Sequence, residues 1–185
     1  MLYFRFDEEK ALSVILYIAK ELWDPNRKGK PDFHKIFKIL YFADQKHLVR
    51  YGRPVVGDYY VAMEHGPVPS NIYDILKAVR GDSIFDDVKG FGSYFDVKSH
   101  YVYPKKAPDM DAFSESDVEC LKESMEENQY LTFKELKKKS HDEAYDKATK
   151  DDKISYRAMA RAAGADSAMI AYMRTLSENE RIFNA

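Results

Sequence analysis

Residues 32–52 read DFHKIFKILYFADQKHLVRYG. Asp32 stands where a helix N-cap belongs and Gly52 where a left-handed stop belongs, so the spacing predicts one helix between them. Phe33, Ile36, Phe37, Ile39, Leu40, Ala43 and Leu48 cover roughly half of its circumference, more than the single stripe of an ordinary surface helix. A helix at the centre of the fold is therefore expected, with His34, Lys35, Lys38, Gln45 and Lys46 on its polar side. His47 falls inside the apolar arc and Asp44 at its border. A buried polar group without a partner costs about 1–3 kcal/mol. Two readings follow: Asp44 and His47 bond each other or nearby backbone and fix the packing, or they face a partner or ligand pocket.

The chain continues into YYVAMEHGPVPSNIYDILKAV, residues 59–79. Alternation over residues 58–64 predicts a strand, with Tyr59, Val61 and Met63 on one face and Tyr60, Ala62 and Glu64 on the other. His65, Gly66 and Pro67 are expected to end it. Pro69 suits the first turn of the next helix, whose cap is Val68 or Ser70, and Ile72, Ile75, Leu76 and Val79 repeat at helical spacing before Gly81. The stretch thus reads as strand, rigid corner, helix. Glu64 and His65 point to opposite faces of a strand, which argues against their acting together as an acid/base pair. His65 is instead expected to turn back toward Asp44 and His47 and complete one buried polar cluster.

On the N-terminal side, Asp7 is expected to cap a helix running to Trp23, and the loop that follows carries Arg27, Lys28 and Lys30 as solvated charges. On the C-terminal side, SYFDV and HYVYP predict a hairpin turning near Lys98-Ser99. A capped amphipathic helix starts at Ser114, and Cys120 lies beside its stripe with no basic neighbour to activate the thiol. Thr132 with Glu135 forms a capping box for another helix, whose lysines 134, 137, 138 and 139 read as a solvated face. HDEAYDKATKDDK, residues 141–153, reads as a polar connection or irregular helix. SYRAMARAAG and ADSAMIAYMRTLSEN form two helices divided by Gly164. Their Ala/Met character suits packing better than base reading.

Composition narrows the function classes. The 185 residues carry a net charge of −2, 45% hydrophobic and 32% charged residues, 14 tyrosines and 11 phenylalanines. Neither a membrane protein nor a general nucleic-acid binder is expected from that balance. A lone cysteine excludes an intrachain disulfide and suits the cytoplasm. Phosphate-loop, dinucleotide, zinc-protease and nucleophile-elbow motifs are absent, and the five histidines never fall at ligand spacing. The expectation is a protein that is not an enzyme and uses no cofactor or metal. The runner-up is a small-ligand-binding protein or enzyme using the Asp44/His47/His65 region, and a third reading is a DNA-binding regulator.

Three pieces in order, KILYFAD at 38–44, YGRP at 51–54 and GPV at 66–68 entering a helix, resemble the Panacea domain of the SocA-like antitoxin family, also labelled GepA-type phage-associated protein. The resemblance implies an α+β fold, predominantly helical, in which a central buried helix is packed by several helices with a small antiparallel β element. It implies residues 1–164 as the Panacea-like antitoxin domain, with a C-terminal helix at 165–185 packing on it. It also implies an antitoxin of a toxin–antitoxin system that binds a cognate toxin protein directly, or an adaptor that delivers the toxin to a cellular AAA+ protease. The structural or partner-contact motif then comprises Asp44, His47, Tyr51, Tyr59, Tyr60, His65, Gly66, Pro67 and Val68.

Overall fold

The computed structural model describes residues 2–23, 30–82 and 89–183, so Arg27 and Lys28 of the basic loop lie outside the described residues. Among these, eight α-helices and five short strands follow in the order α1 (Glu8–Leu22), α2 (Phe33–Tyr51), β1 (Tyr60–Met63), β2 (Gly66–Pro69), α3 (Ser70–Arg80), β3 (Phe95–Lys98), β4 (Tyr101–Pro104), α4 (Glu115–Asn128), α5 (Phe133–Ser140), α6 (Glu143–Asp146), β5 (Lys153–Ile154), α7 (Tyr156–Ala162) and α8 (Ser167–Phe183). The fold is α+β and predominantly helical. No helix among the described residues is long and apolar enough to cross a membrane.

The central helix is α2. Asp32 accepts a hydrogen bond from the Lys35 amide at 2.8 Å, and Gly52 closes the other end in the left-handed region. Helices α1, α4, α5 and α7 and strand β2 all pack against it. Its apolar arc is buried as the periodicity requires, but so are Lys38 and Gln45, which the sequence had placed on the polar side. The reason is tertiary. The α5–α6 segment and the β2 strand cover that side of α2, and each buried polar group receives a partner from them. Burying an aliphatic or aromatic side chain contributes about 1.5–3 kcal/mol, so a helix enclosed in this way anchors the whole assembly.

The expected rigid corner is a β-hairpin. Strand β1 turns through Glu64 and His65 and returns as β2, pairing Met63 with Gly66, Val61 with Val68 and Tyr60 with Pro69. The sheet has the order β2-β1-β5, which leaves β2 at an edge. The Ser70 amide donates to the Tyr59 carbonyl, so residues 66, 68 and 70 face β1 with their hydrogen-bonding groups. Pro67 and Pro69 turn their nitrogens to the open edge, where a missing N–H leaves no strand carbonyl unpaired. Pro69 is the residue before α3 and supplies no side-chain cap. Strand β5 begins at the last residue of the segment read as a polar connection; two residues are too few to carry a periodic signal, and Ile154 pairs with Tyr60.

The other elements form where expected. The β3–β4 hairpin turns at Ser99-His100, and an Asp32–Tyr101 bridge attaches it to the start of α2. Ser114 with Asp117 and Thr132 with Glu135 each form a complete capping box. Helix α8 extends past the expected Asn179 and buries Ile170 and Met173, while its Ser177 hydroxyl accepts from the Tyr3 amide at 2.7 Å.

Candidate functional site

The polar groups on and around α2 form a series of buried junctions. Asp44 is fully enclosed: one carboxylate oxygen accepts from the Val55 amide and the other from the Tyr60 hydroxyl, both at 2.7 Å. Burial pushes Asp44 up to about 7 against the opposing pull of those two bonds. Asp58 is also buried and accepts from the Asn71 amide at 3.0 Å, the Asn71 side chain at 2.9 Å and the Ile72 amide at 2.9 Å. It therefore caps α3 from a distance, doing what Pro69 cannot. Burial raises Asp58 to about 6 despite these bonds, and its backbone carbonyl accepts from the Tyr156 hydroxyl at 2.6 Å. Together the two aspartates tie the loop after α2, strand β1, and helices α3 and α7 to one point.

Lys38 makes the second junction. Its ammonium group donates to the outward-facing carbonyl of Pro67 at 2.8 Å, and burial brings it down to about 7. Gly66 sits beside it at φ 99, and a methyl group there would lie 2.5 Å from the Ser140 hydroxyl and 3.0 Å from the Lys38 nitrogen. Only glycine allows the hairpin to approach α2 and α5 this closely.

The third junction is Asp117 at the start of α4. Lys10 reaches it at 2.5 Å, Arg53 at 3.1 Å and His47 at 3.2 Å, and the Ser114 amide donates to it at 2.9 Å. Arg53 and His47 both approach Oδ1 without hydrogen-bond alignment. Burial acts to raise this carboxyl, but His47, Lys10, the Ser114 amide and Arg53 together hold it well below the usual range. His47 Nδ1 lies 2.8 Å from the Arg53 carbonyl and must donate to it, leaving Nε2 for the Ser116 hydroxyl at 3.0 Å and the Asp117 carboxylate. Asp142 forms the fourth junction, accepting from Tyr41 at 3.0 Å, Gln45 at 2.7 Å and the amides that open α6.

Asp44, His47 and His65 do not form the expected cluster. The first two bond neither each other nor His65; each takes backbone and side-chain partners of its own. His65 occupies the hairpin turn, where its side chain is exposed, and meets the Phe133 ring at 5.3 Å and the Lys137 ammonium at 3.4 Å. A turn residue has no obligation to either sheet face, and that is why strand alternation misplaces it. Among the remaining motif residues, Tyr60, Gly66 and Pro67 are buried, while Tyr51, Tyr59 and Val68 are half-buried. Tyr51 donates to Glu119 at 2.6 Å, and the Lys153 ammonium lies 4.0 Å from the centre of the Tyr59 ring. Lys38, Asp58, Asp117 and Asp142 escaped sequence reasoning as junction residues. Asp117 had a signal, because it occupies the third helical position after Ser114.

Two imidazoles flank the Lys38 junction. His34 packs on Phe133 at 4.1 Å and His141 stacks on Tyr145 at 4.0 Å, each with a buried, unpartnered Nε2. Burial, then the Lys38 charge, lowers His34 to about 4. Among the described residues no group of three or more His, Cys, Asp or Glu side chains is arranged to hold a metal ion.

Residues 36–146, more than half of the chain, match the family model described as Antitoxin SocA-like, Panacea domain. The chain belongs to this family. The Panacea match runs from Ile36 in α2 to Asp146 at the end of α6 and contains Lys38, Asp44, Asp58, Gly66, Asp117 and Asp142. Outside it lie α1, β5, α7 and α8. No curated protein and no solved structure matches this Panacea chain.

Proposed function

We propose that this Panacea protein is the antitoxin of a toxin–antitoxin pair and neutralises its toxin by direct protein–protein contact, with no chemistry performed. The observation that carries the reading is the antitoxin-family match over residues 36–146. The arrangement of the polar groups supports it, because the ionisable side chains of α2 that were candidates for catalysis are engaged in holding elements together. Asp44 holds a backbone amide and a tyrosine, and His47 holds a backbone carbonyl and the α4 cap.

A contact surface is available where the β1–β2 turn meets the start of α5. Tyr130 is 67% exposed and Phe133 48% exposed, and Phe133 stands between His34 and the exposed His65. Aromatic side chains set on a rigid scaffold make effective interface anchors, since burying them costs little conformational entropy. The toxin is made in the cytoplasm and is met there, a compartment that suits the single, buried Cys120.

Co-expression with the product of the adjacent gene tests the proposal. Expected is growth arrest by that product alone, relieved by this chain. A harmless neighbour, or arrest that persists while the chain is folded and abundant, refutes it.

A further inference from the structure

A groove of about 580 Å³ runs between α7, α8 and the N-terminal segment, with Leu2 and Ile170 among its lining residues and Arg157, Arg174 and Arg181 along its walls. Ile170, Arg174, Ser177 and Arg181 follow one another at intervals of three or four residues, so a single face of α8 is turned to the groove. Arg157 adds a third guanidinium from α7. Arg157 and Arg174 make no hydrogen bond or ion pair in the fold among the described residues, and Glu178, the one acidic residue of the lining, is paired with neither. By contrast, Arg50 holds Glu119 and Glu123, and Arg53 and Lys10 both hold Asp117. Two guanidiniums without fold partners, converging on a concave surface with apolar residues among its lining, leave donor forks that match carboxylates.

The geometry points to this groove as a second docking site, which takes an acidic segment of a partner protein that also carries apolar side chains. The carboxylates of that segment pair with Arg157 and Arg174, and its apolar residues lie on Leu2 and Ile170. A protein segment fits better than a nucleic acid. Glu178 interrupts the positive wall, no aromatic ring among the described residues lines the groove for base stacking, and the chain as a whole carries a charge of −2. Every lining residue lies outside the Panacea match, which ends at 146. The groove therefore lies outside the matched family core and is suited to selecting one toxin among several. That last step rests on the antitoxin reading; the preference for acidic peptide does not.

The test is fluorescence anisotropy of the full chain with a labelled peptide of alternating Glu and Leu, at low salt. Saturable binding is expected, abolished by high salt and weakened at least about tenfold in the double variant R157E/R174E. Both positions are exposed and unpartnered, so the melting temperature of that variant should match wild type. Absence of wild-type binding, equal binding by the double variant, or tighter binding of a single-stranded oligonucleotide of the same charge would overturn the assignment. Peptide binding without rescue of growth would leave the groove intact and remove the antitoxin reading alone.

Discussion

Lys38 donates a 2.8 Å hydrogen bond to the carbonyl of Pro67, and in doing so joins the centre of α2 to the open edge of the small sheet. An edge strand with two prolines has carbonyls that no neighbouring strand reaches. A buried ammonium group satisfies one of them, and its enclosure brings Lys38 down to about 7. The hairpin, α2 and α5 are consequently coupled through one lysine, one proline and the glycine beside it.

This coupling has a pH signature. The unfolded chain keeps Lys38 protonated up to 10.5, whereas the folded chain releases that proton from about 7. Across that window the unfolded state binds more protons, so the contribution of Lys38 to stability rises with pH and is lost as pH falls toward 7. Lys38→Met keeps the volume and removes the titration. The difference in unfolding free energy between wild type and K38M should grow in favour of wild type from pH 7 to pH 10, at up to about 1.4 kcal/mol per pH unit, read from urea denaturation. A constant difference would show that Lys38 titrates normally.

Asp44 should act in the opposite direction. Its folded value of about 7 lies above the ordinary aspartate value of 3.8. The group's stabilising contribution is present below the lower value and lost as pH rises through the upper one. Relative to Asp44→Asn, wild type should lose stability between pH 4 and 7. The difference profile is needed because His34, lowered to about 4, works the other way in the same range. Asp44→Ala strands the Val55 amide and the Tyr60 hydroxyl, at about 1–3 kcal/mol each, and should lower the melting temperature far more than D44N.

Gly66→Ala should be among the most damaging small substitutions. It forces a side chain into φ 99 and against Ser140 and Lys38. Gly81→Ala shares the positive φ, at 84, but meets no atom within 4 Å. The backbone strain alone costs about 1–3 kcal/mol, so a loss in G66A that clearly exceeds that in G81A by chemical denaturation isolates the packing contribution. Equal losses would mean that the hairpin moves away from α2 at little cost.

Much of this architecture was legible in the sequence. Asp32 and Gly52 bound α2, and Asp44 and His47 stand out as polar residues that the apolar arc obliges to find partners. The hairpin was not legible. Pro67 and Pro69 look like strand breakers until β2 is known to be an edge strand, and position in a sheet is a property of the tertiary fold. For the same reason Lys38 and Gln45 read as surface residues, since what encloses them comes from segments about 30 and 100 residues away. His65 was misplaced because strand alternation was carried past Met63 into the two-residue turn of Glu64 and His65.

Cys120 offers a direct check on the core. It is completely buried, and enclosure among apolar neighbours pushes its thiol up to about 11. A thiol reagent such as Ellman's should react negligibly with the native chain and stoichiometrically in denaturant. Rapid native reaction would place α4 further from α2 than described.

Calorimetric titration of the purified chain with the purified product of the adjacent gene tests direct neutralisation most closely. A saturable complex is expected, weakened at least about tenfold by the double substitution Tyr130→Ala with Phe133→Asp in a chain that circular dichroism shows to remain folded, and weakened to match in growth rescue. No heat of binding between two folded proteins, with rescue nevertheless intact, would contradict neutralisation by contact.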